Sequence, residues 1–207
     1  MTMGRVELRS MRAHEVGDVA RLHRLMFPSN VASRFGPRLV HRYVDTFRSS
    51  PGAVALVAER DGALSGYLLG VTRTDRHRAF VRPRRGGLIL VALPRMPRNA
   101  WFILKVLRRR LARRSSPQAQ TDGPGPLAVL SHLATREDAR GCGIGGDLVM
   151  FFELEALKQG AVTGYLATDD QPAGAARFYE GLEWHLDRHD RTADGRVLRI
   201  YRKTLAP

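Results

Sequence analysis

Residues Ala139 to Gly146 read ARGCGIGG, an arginine followed by glycines at 141, 143, 145 and 146. That much glycine would weaken the interior of a strand or a helix, so the run marks a turn. The apolar pattern LAVLSHLAT (Leu127 to Thr135) precedes it as a strand. Leu148, Val149, Phe151, Phe152, Leu154 and Leu157 come after it at helical spacing. Strand, glycine turn and helix together aim the free N–H groups of a first helical turn at an anion, and the helix dipole favours negative charge there. Arg140 adds a cation. No Lys-Ser/Thr comes after the glycines, as a P-loop requires, and the turn is not an early one with a later acidic residue, as a dinucleotide fold requires. A tight turn with glycines for packing would read the same in this stretch alone.

A titratable side chain on an element beside the turn could move protons. His132 is the one such group in Val129-Leu130-Ser131-His132 of the preceding strand. In a regular strand it lies opposite Ser131 and Leu133, and a bulge would change that. Tyr179 sits next to Phe178 in the helical pattern AGAARFYEGL, where paired aromatics usually pack. Asp169 and Asp170 end the strand pattern VTGYLATDD, to bind a cationic acceptor or to cap the next helix. His14 and His23, on an early helix, are expected to face solvent or acceptor. The single cysteine, Cys142, excludes an internal disulfide and a thiolate-rich zinc site, and no metal is expected.

Elements must hold these residues together. VELRSM (Val6 to Met11) reads as an opening strand, and Val16, Val19, Leu22, Leu25 and Met26 as a helix ended by Pro28. Leu39, Val40, Tyr43, Val44 and Phe47 mark a second helix. AVALVAERDG and ALSGYLLGVTR are two strands joined at Asp61-Gly62, a hairpin signal. RVLRIYRKTL closes the chain as a strand. Residues 76–126 interrupt this α/β alternation between the third and fourth strands as a basic, partly helical insertion and loop. Pro83, Pro94 and Pro97 break up its first half. AWFILKVLRRRLARR (Ala100 to Arg114) reads as a helix, apolar first and basic later, and SSPQAQTDGPGP as a return loop. At 207 residues the chain is expected to form one domain over 1–207.

The glycine turn and the elements beyond it resemble the GNAT superfamily of N-acyltransferases. Its pyrophosphate motif, Arg/Gln-x-x-Gly-x-Gly/Ala, is matched by Arg140, Gly143 and Gly145, and its later aromatic-Tyr pair by Phe178 and Tyr179. The resemblance covers about Val6 to Arg73 and Leu127 to Leu205. It implies a mixed, mostly antiparallel and splayed sheet flanked by helices. It also implies an acyl group, most simply acetyl, passing directly from acyl-CoA to a primary amine of a small molecule. Residues Arg140, Gly141, Cys142, Gly143, Ile144 and Gly145 would then hold the coenzyme A pyrophosphate. Leu133 and Thr135 would pair by main chain with the pantetheine arm, as an added strand. Tyr179 matches the acid that protonates the leaving sulfur, and His132 is the candidate base, with a satisfied histidine as the alternative. Cys142 would be a bystander. The family's frequent Asn at the start of the last helix is replaced by Pro172, and its frequent Gly before the final aromatic by Glu183.

The formal net charge is +14, and the insertion carries it. Between Arg76 and Thr121 stand 13 Lys and Arg and no Asp or Glu, while the rest of the chain holds 21 basic and 20 acidic residues. The segment 76–114 could close over the acceptor cleft, lie on an anionic membrane, or receive an acidic acyl carrier protein as thioester donor. Nucleic acid is disfavoured, because no interleaved aromatic or groove-reading motif accompanies the charge. A non-catalytic acyl-CoA or anionic-surface binding module is the alternative to an enzyme. The longest uncharged apolar run, Gly86 to Pro94, is too short to span a bilayer, and no signal-like stretch opens the sequence, so the cytoplasm is expected.

Overall fold

The computed structural model describes residues 6–92, 99–101, 126–169, 174–191 and 195–205. In chain order the elements are β1 (Val6–Ser10), α1 (Val16–Met26), α2 (Val31–Arg34), α3 (Pro37–Ser49), β2 (Ala53–Arg60) and β3 (Ala63–Val71). They continue as α4 (Thr74–Ala92), β4 (Leu127–Thr135), α5 (Ile144–Lys158), β5 (Thr163–Asp169), α6 (Gly174–Glu180), β6 (His185–Arg191) and β7 (Val197–Thr204). One seven-stranded sheet runs β1-β2-β3-β4-β5-β7-β6, and only β4 and β5 pair in parallel.

The period-2 alternation of the central strands sends side chains to two cores. Val54, Leu56, Ala58, Leu68, Ala128 and Leu130 face α5, with Ile144, Leu148 and Phe152. Ala55, Val57, Tyr67, Leu69 and Val71 face α1 and α3, with Val19, Val40, Val44 and Phe47. Strands covered on both faces read as continuous apolar runs, which is why β2 and β3 are plain in the sequence. Asp61 and Gly62 both have positive φ, 53° and 79°, as a two-residue hairpin turn of this kind needs.

Two irregularities open the sheet. Leu69 pairs with His132 but Gly70 pairs with Leu130, so Ser131 is an extra residue on β4. Such a bulge bends its strand and increases local twist. On the other side β4 pairs with β5 only from Leu127↔Thr163 to Leu130↔Leu166. The pairing stops at the bulge, although β4 runs on to Thr135 and β5 to Asp169. The two strands part there, and their facing edges are left without each other.

Three differences from the sequence expectations have physical causes. The helix α4 passes through Pro83 rather than breaking at it. A proline there loses one main-chain bond and costs about 3 kcal/mol. Packing on α3 offsets this: Phe47 lies 5.3 Å from the His77 ring, His77 Nδ1 bonds Ser50 Oγ at 2.9 Å, and Arg42 donates to the Gly87 carbonyl at 3.4 Å. Strand β6 is not among the expected elements, because HLDRHDR is polar on both faces. It is an edge strand, held by main-chain pairing to β7, and charges on edges discourage further pairing. His23 does not face solvent or acceptor but is fully buried. Apart from α4, residues 99–101 and Pro126, the 76–126 insertion lies outside the described residues, as do Asp170 and Pro172. Among the described residues no helix is long and apolar enough to cross a membrane.

Candidate active site

A cleft of about 910 Å³ opens where β4 and β5 part. Its walls include the end of β4 beyond its pairing with β5, from Ser131 to Thr135, the glycine turn from Arg140 to Gly146, the end of β5, and Phe178 and Tyr179 of α6. The Phe27–Asn30 loop after α1 closes one side. The sequence-predicted residues Tyr179, His132, Leu133, Thr135, Arg140, Gly141, Gly143, Ile144 and Gly145 all line it.

The glycines of the turn answer to different demands. Gly141 and Gly143 have φ of 76° and 79°, and a Cβ at either would meet nothing within 4 Å. Their side chains are absent for backbone conformation, and the space above them is open. Gly145 is different: a Cβ there would stand 3.3 Å from the Phe178 ring, so this glycine serves packing. Gly143 caps α5 with no side-chain hydrogen bond, and Ile144, Gly145 and Gly146 begin the helix. Their N–H groups are the ones an α-helix cannot satisfy internally, so the cleft ends on an anion-accepting helix terminus.

Arg140 is largely exposed. Its guanidinium reaches Met26 Sδ at 3.8 Å and Glu137 at 3.9 Å, across the cleft mouth. Cys142 turns the other way, towards Arg60 at 3.6 Å, and does not line the cleft, so only its main chain could serve a ligand.

Tyr179 is both core and wall. The residue is 8% exposed, with ring centroids 5.0 Å from Phe178, 6.4 Å from Trp184 and 6.2 Å from Tyr201. Its carbonyl accepts from the N–H groups of Leu182 and Trp184 at 3.0 Å each. Trp184 is anchored in turn: its Nε1–H donates to Glu153 at 2.9 Å, and its ring fills the space a Cβ on Gly164 would need. Burial holds the Tyr179 hydroxyl well above the usual phenol range, so it keeps its proton.

His132 stands on the opposite face of the sheet from Leu133, turned by the bulge towards α1 and α3. The ring touches three aromatic side chains: His23 at 4.6 Å, Phe27 at 5.1 Å and Tyr43 at 5.7 Å. Nε2 bonds the Tyr43 hydroxyl at 2.9 Å. Behind it His23 Nδ1 bonds the Tyr67 hydroxyl at 2.8 Å. Burial, helped by His23, pushes the His132 pKa down to about 3. Burial, opposed by the Asn30 side chain, pushes His23 down to about 4. Both imidazoles are neutral at pH 7, and a base with so low a pKa takes a proton poorly. The surroundings therefore speak against the expected base role of His132. Asp169 is engaged as well, its two oxygens each 3.0 Å from Arg196.

Phe27, Asn30, Tyr43 and Arg196 carry no mark in the sequence. Tyr43 is 89 residues from His132 and reads as a core position of α3, so no sequence signal could have found it.

No protein-family model matches this chain, and no curated protein matches it. Solved structures do. An aminoglycoside 6'-N-acetyltransferase complexed with coenzyme A superposes with a TM-score of 0.61 at 17% identity, over 97% of this chain and 98% of that one. Ard1 from Thermoplasma volcanium gives 0.62 at 12% identity over 98% and 99% of the two chains. An N-acetyltransferase from Staphylococcus aureus Mu50 gives 0.62 at 11% identity over the same shares. The chain has the GNAT fold. At such identities the likeness is one of fold. The parted β4 and β5, and the glycine turn at the head of α5, are this chain's own version of the splayed GNAT sheet.

Proposed function

We propose that this protein is an N-acyltransferase that moves an acyl group, most simply acetyl, from acyl-coenzyme A to a primary amine of a small molecule. One observation carries the reading: a single cleft joins the head of α5 with its unpaired N–H groups, a strand edge freed by the parting of β4 and β5, and Tyr179. Residues Arg140 to Gly145 would hold the pyrophosphate, which the open space above Gly141 and Gly143 admits. The edge of β4 at Leu133 and Thr135 would pair with the amide-bearing pantetheine arm. The coenzyme A bound to a structural neighbour of the same fold supports this.

The amine nitrogen attacks the acyl carbon, the carbon–sulfur bond breaks, and the leaving sulfur takes the proton of Tyr179. The proton shed by the nitrogen restores the tyrosine through water in the open cleft. The protein would orient the two substrates and supply one acid, with no strong base. Thioester consumption with acetyl-CoA and a panel of amines tests the reading. Coenzyme A binding without turnover on any amine would leave a binding module instead.

A carrier-bound thioester as donor is the second reading, favoured by Arg76, Arg78 and Arg82, which are exposed on α4. Comparing turnover of free and carrier-bound donors in wild-type protein decides between them.

A further inference from the structure

The cleft wall rests on a polar pair that the transfer reading does not use. His132 and Tyr43 meet at 2.9 Å through Nε2 and the phenolic oxygen, in a part-buried contact between β4 and α3. One proton lies between them, and satisfaction decides where it comes from. If Nε2 carried it, the Tyr43 O–H would have no acceptor among the described residues, and an unmade donor in such a place is costly. With Tyr43 donating to Nε2, both groups are satisfied and the imidazole proton stands on Nδ1. Nδ1 has no partner among the described residues. It is also not one of the enclosed, unpartnered atoms, so it is not sealed from solvent, and His132 is a residue of the cleft wall.

We infer, on top of the acyl-transfer reading, that Tyr43 holds His132 as the Nδ1–H tautomer, and that His132 recognises a carbonyl oxygen beside the acceptor amine. His132 is then a hydrogen-bond donor and not a base. Tyr43, which touches no substrate, is the positioning residue. Two independent features set the acceptor class. The first is this donor, set on the sheet face away from Leu133 and walled by Phe27 and Met26. The second is the lack of any uncommitted carboxylate among the described cleft residues, since Asp169 is tied to Arg196. A simple alkylamine, with a pKa of ~10.4, is only about one part in 10³ neutral at pH 7 and would need a base. An α-amino group beside a carbonyl, with a pKa of ~7.7–8.0, is about one part in ten neutral without help. The site fits an α-amino carbonyl compound, such as an amino-acid amide.

Two measurements test this. Phenylalaninamide and phenethylamine differ only by the carboxamide. With kcat/KM corrected for the neutral fraction of each amine, wild-type protein should favour the amide by about tenfold, the scale of one hydrogen bond left unmade. The ratio should fall to near one in His132→Phe, and His132→Asn, which keeps an N–H donor, should recover part of it. A ratio near one in wild type, or one that survives His132→Phe, overturns the inference. The second measurement needs no turnover, so it stands even where the acyl-transfer reading fails. Nitrogen-15 spectra of histidine-labelled protein should show His132 protonated at Nδ1, and Tyr43→Phe, which keeps the ring, should release that preference. A proton found on Nε2 in wild type overturns it.

Discussion

Replacing Gly143 by alanine separates the two demands on the glycine turn. At φ 79° a residue with a Cβ is strained by about 1–2 kcal/mol. The smaller conformational freedom of alanine in the unfolded chain returns about 0.4–1 kcal/mol of that. A net loss of about 1 kcal/mol should lower the melting temperature by about 2–4 °C in a chain of this size. No clash adds to it, because nothing lies within 4 Å of the new methyl. Gly160, just past the C-terminal end of α5, has φ 81° and is equally open, so Gly160→Ala should lose the same stability. The two variants part at the ligand. A methyl at 143 stands where the anion must approach the head of α5. Losing even one hydrogen bond to a charged group, worth about 1.5–3 kcal/mol, weakens coenzyme A about 10- to 100-fold. Calorimetric titration with coenzyme A, beside thermal melts of both variants, reads the two effects separately. Wild-type affinity in Gly143→Ala, or an equal loss in Gly160→Ala, would refute the pyrophosphate assignment.

Tyr179→Phe should lower kcat by ~10²-fold or more and leave coenzyme A affinity intact, because the hydroxyl bonds no described residue and the ring keeps its packing; wild-type turnover would return Tyr179 to the core alone. His23 and His132 titrate lower in the folded chain than in the unfolded one, so the unfolded chain binds more protons between about pH 6.5 and 4. Their contribution to stability is full above about pH 6.5 and falls with pH through that window, by about 1–2 kcal/mol for each by pH 5. Urea unfolding at pH 5 and 7 should show a smaller difference in His132→Gln than in wild type, and an unchanged difference would contradict the burial argument. Glu183, exposed and at φ 63°, occupies the left-handed region that glycine takes freely, so Glu183→Gly should stabilise the fold by an amount on the order of 0.5–1 kcal/mol and raise the melting temperature by about 1–4 °C. A lower melting temperature would mean that the Glu183 side chain stabilises the turn.

Much of this protein is decided locally and so is legible in the sequence. The glycine turn is plain because only glycine takes φ near 76–79° at no cost, and a helix after it leaves unpaired N–H groups at its head whatever the rest does. The apolar pattern of β4 has the bounds the structure gives, and the Asp61-Gly62 hairpin needs only its own two residues. Departures are legible too: Glu183 stands where the resemblance expects glycine and carries the strained φ.

Features that the sequence leaves undetermined depend on contacts between distant segments. Strand β6 has no apolar face to announce it and exists through its pairing with β7. The run through Pro83 depends on α3, which lies some forty residues earlier. His23 looks like a surface histidine because one polar residue on a helix carries no mark of its neighbours; Tyr67, Tyr43 and His132 converge on it only in the fold. The largest such decision is the bulge at Ser131. One extra residue, visible only in the register of β4 against β3, parts β4 from β5 and turns His132 to the α1 and α3 face beside Tyr43. Residue types supply the groups that could act, whereas register and burial fix which face each group occupies and whether it carries charge.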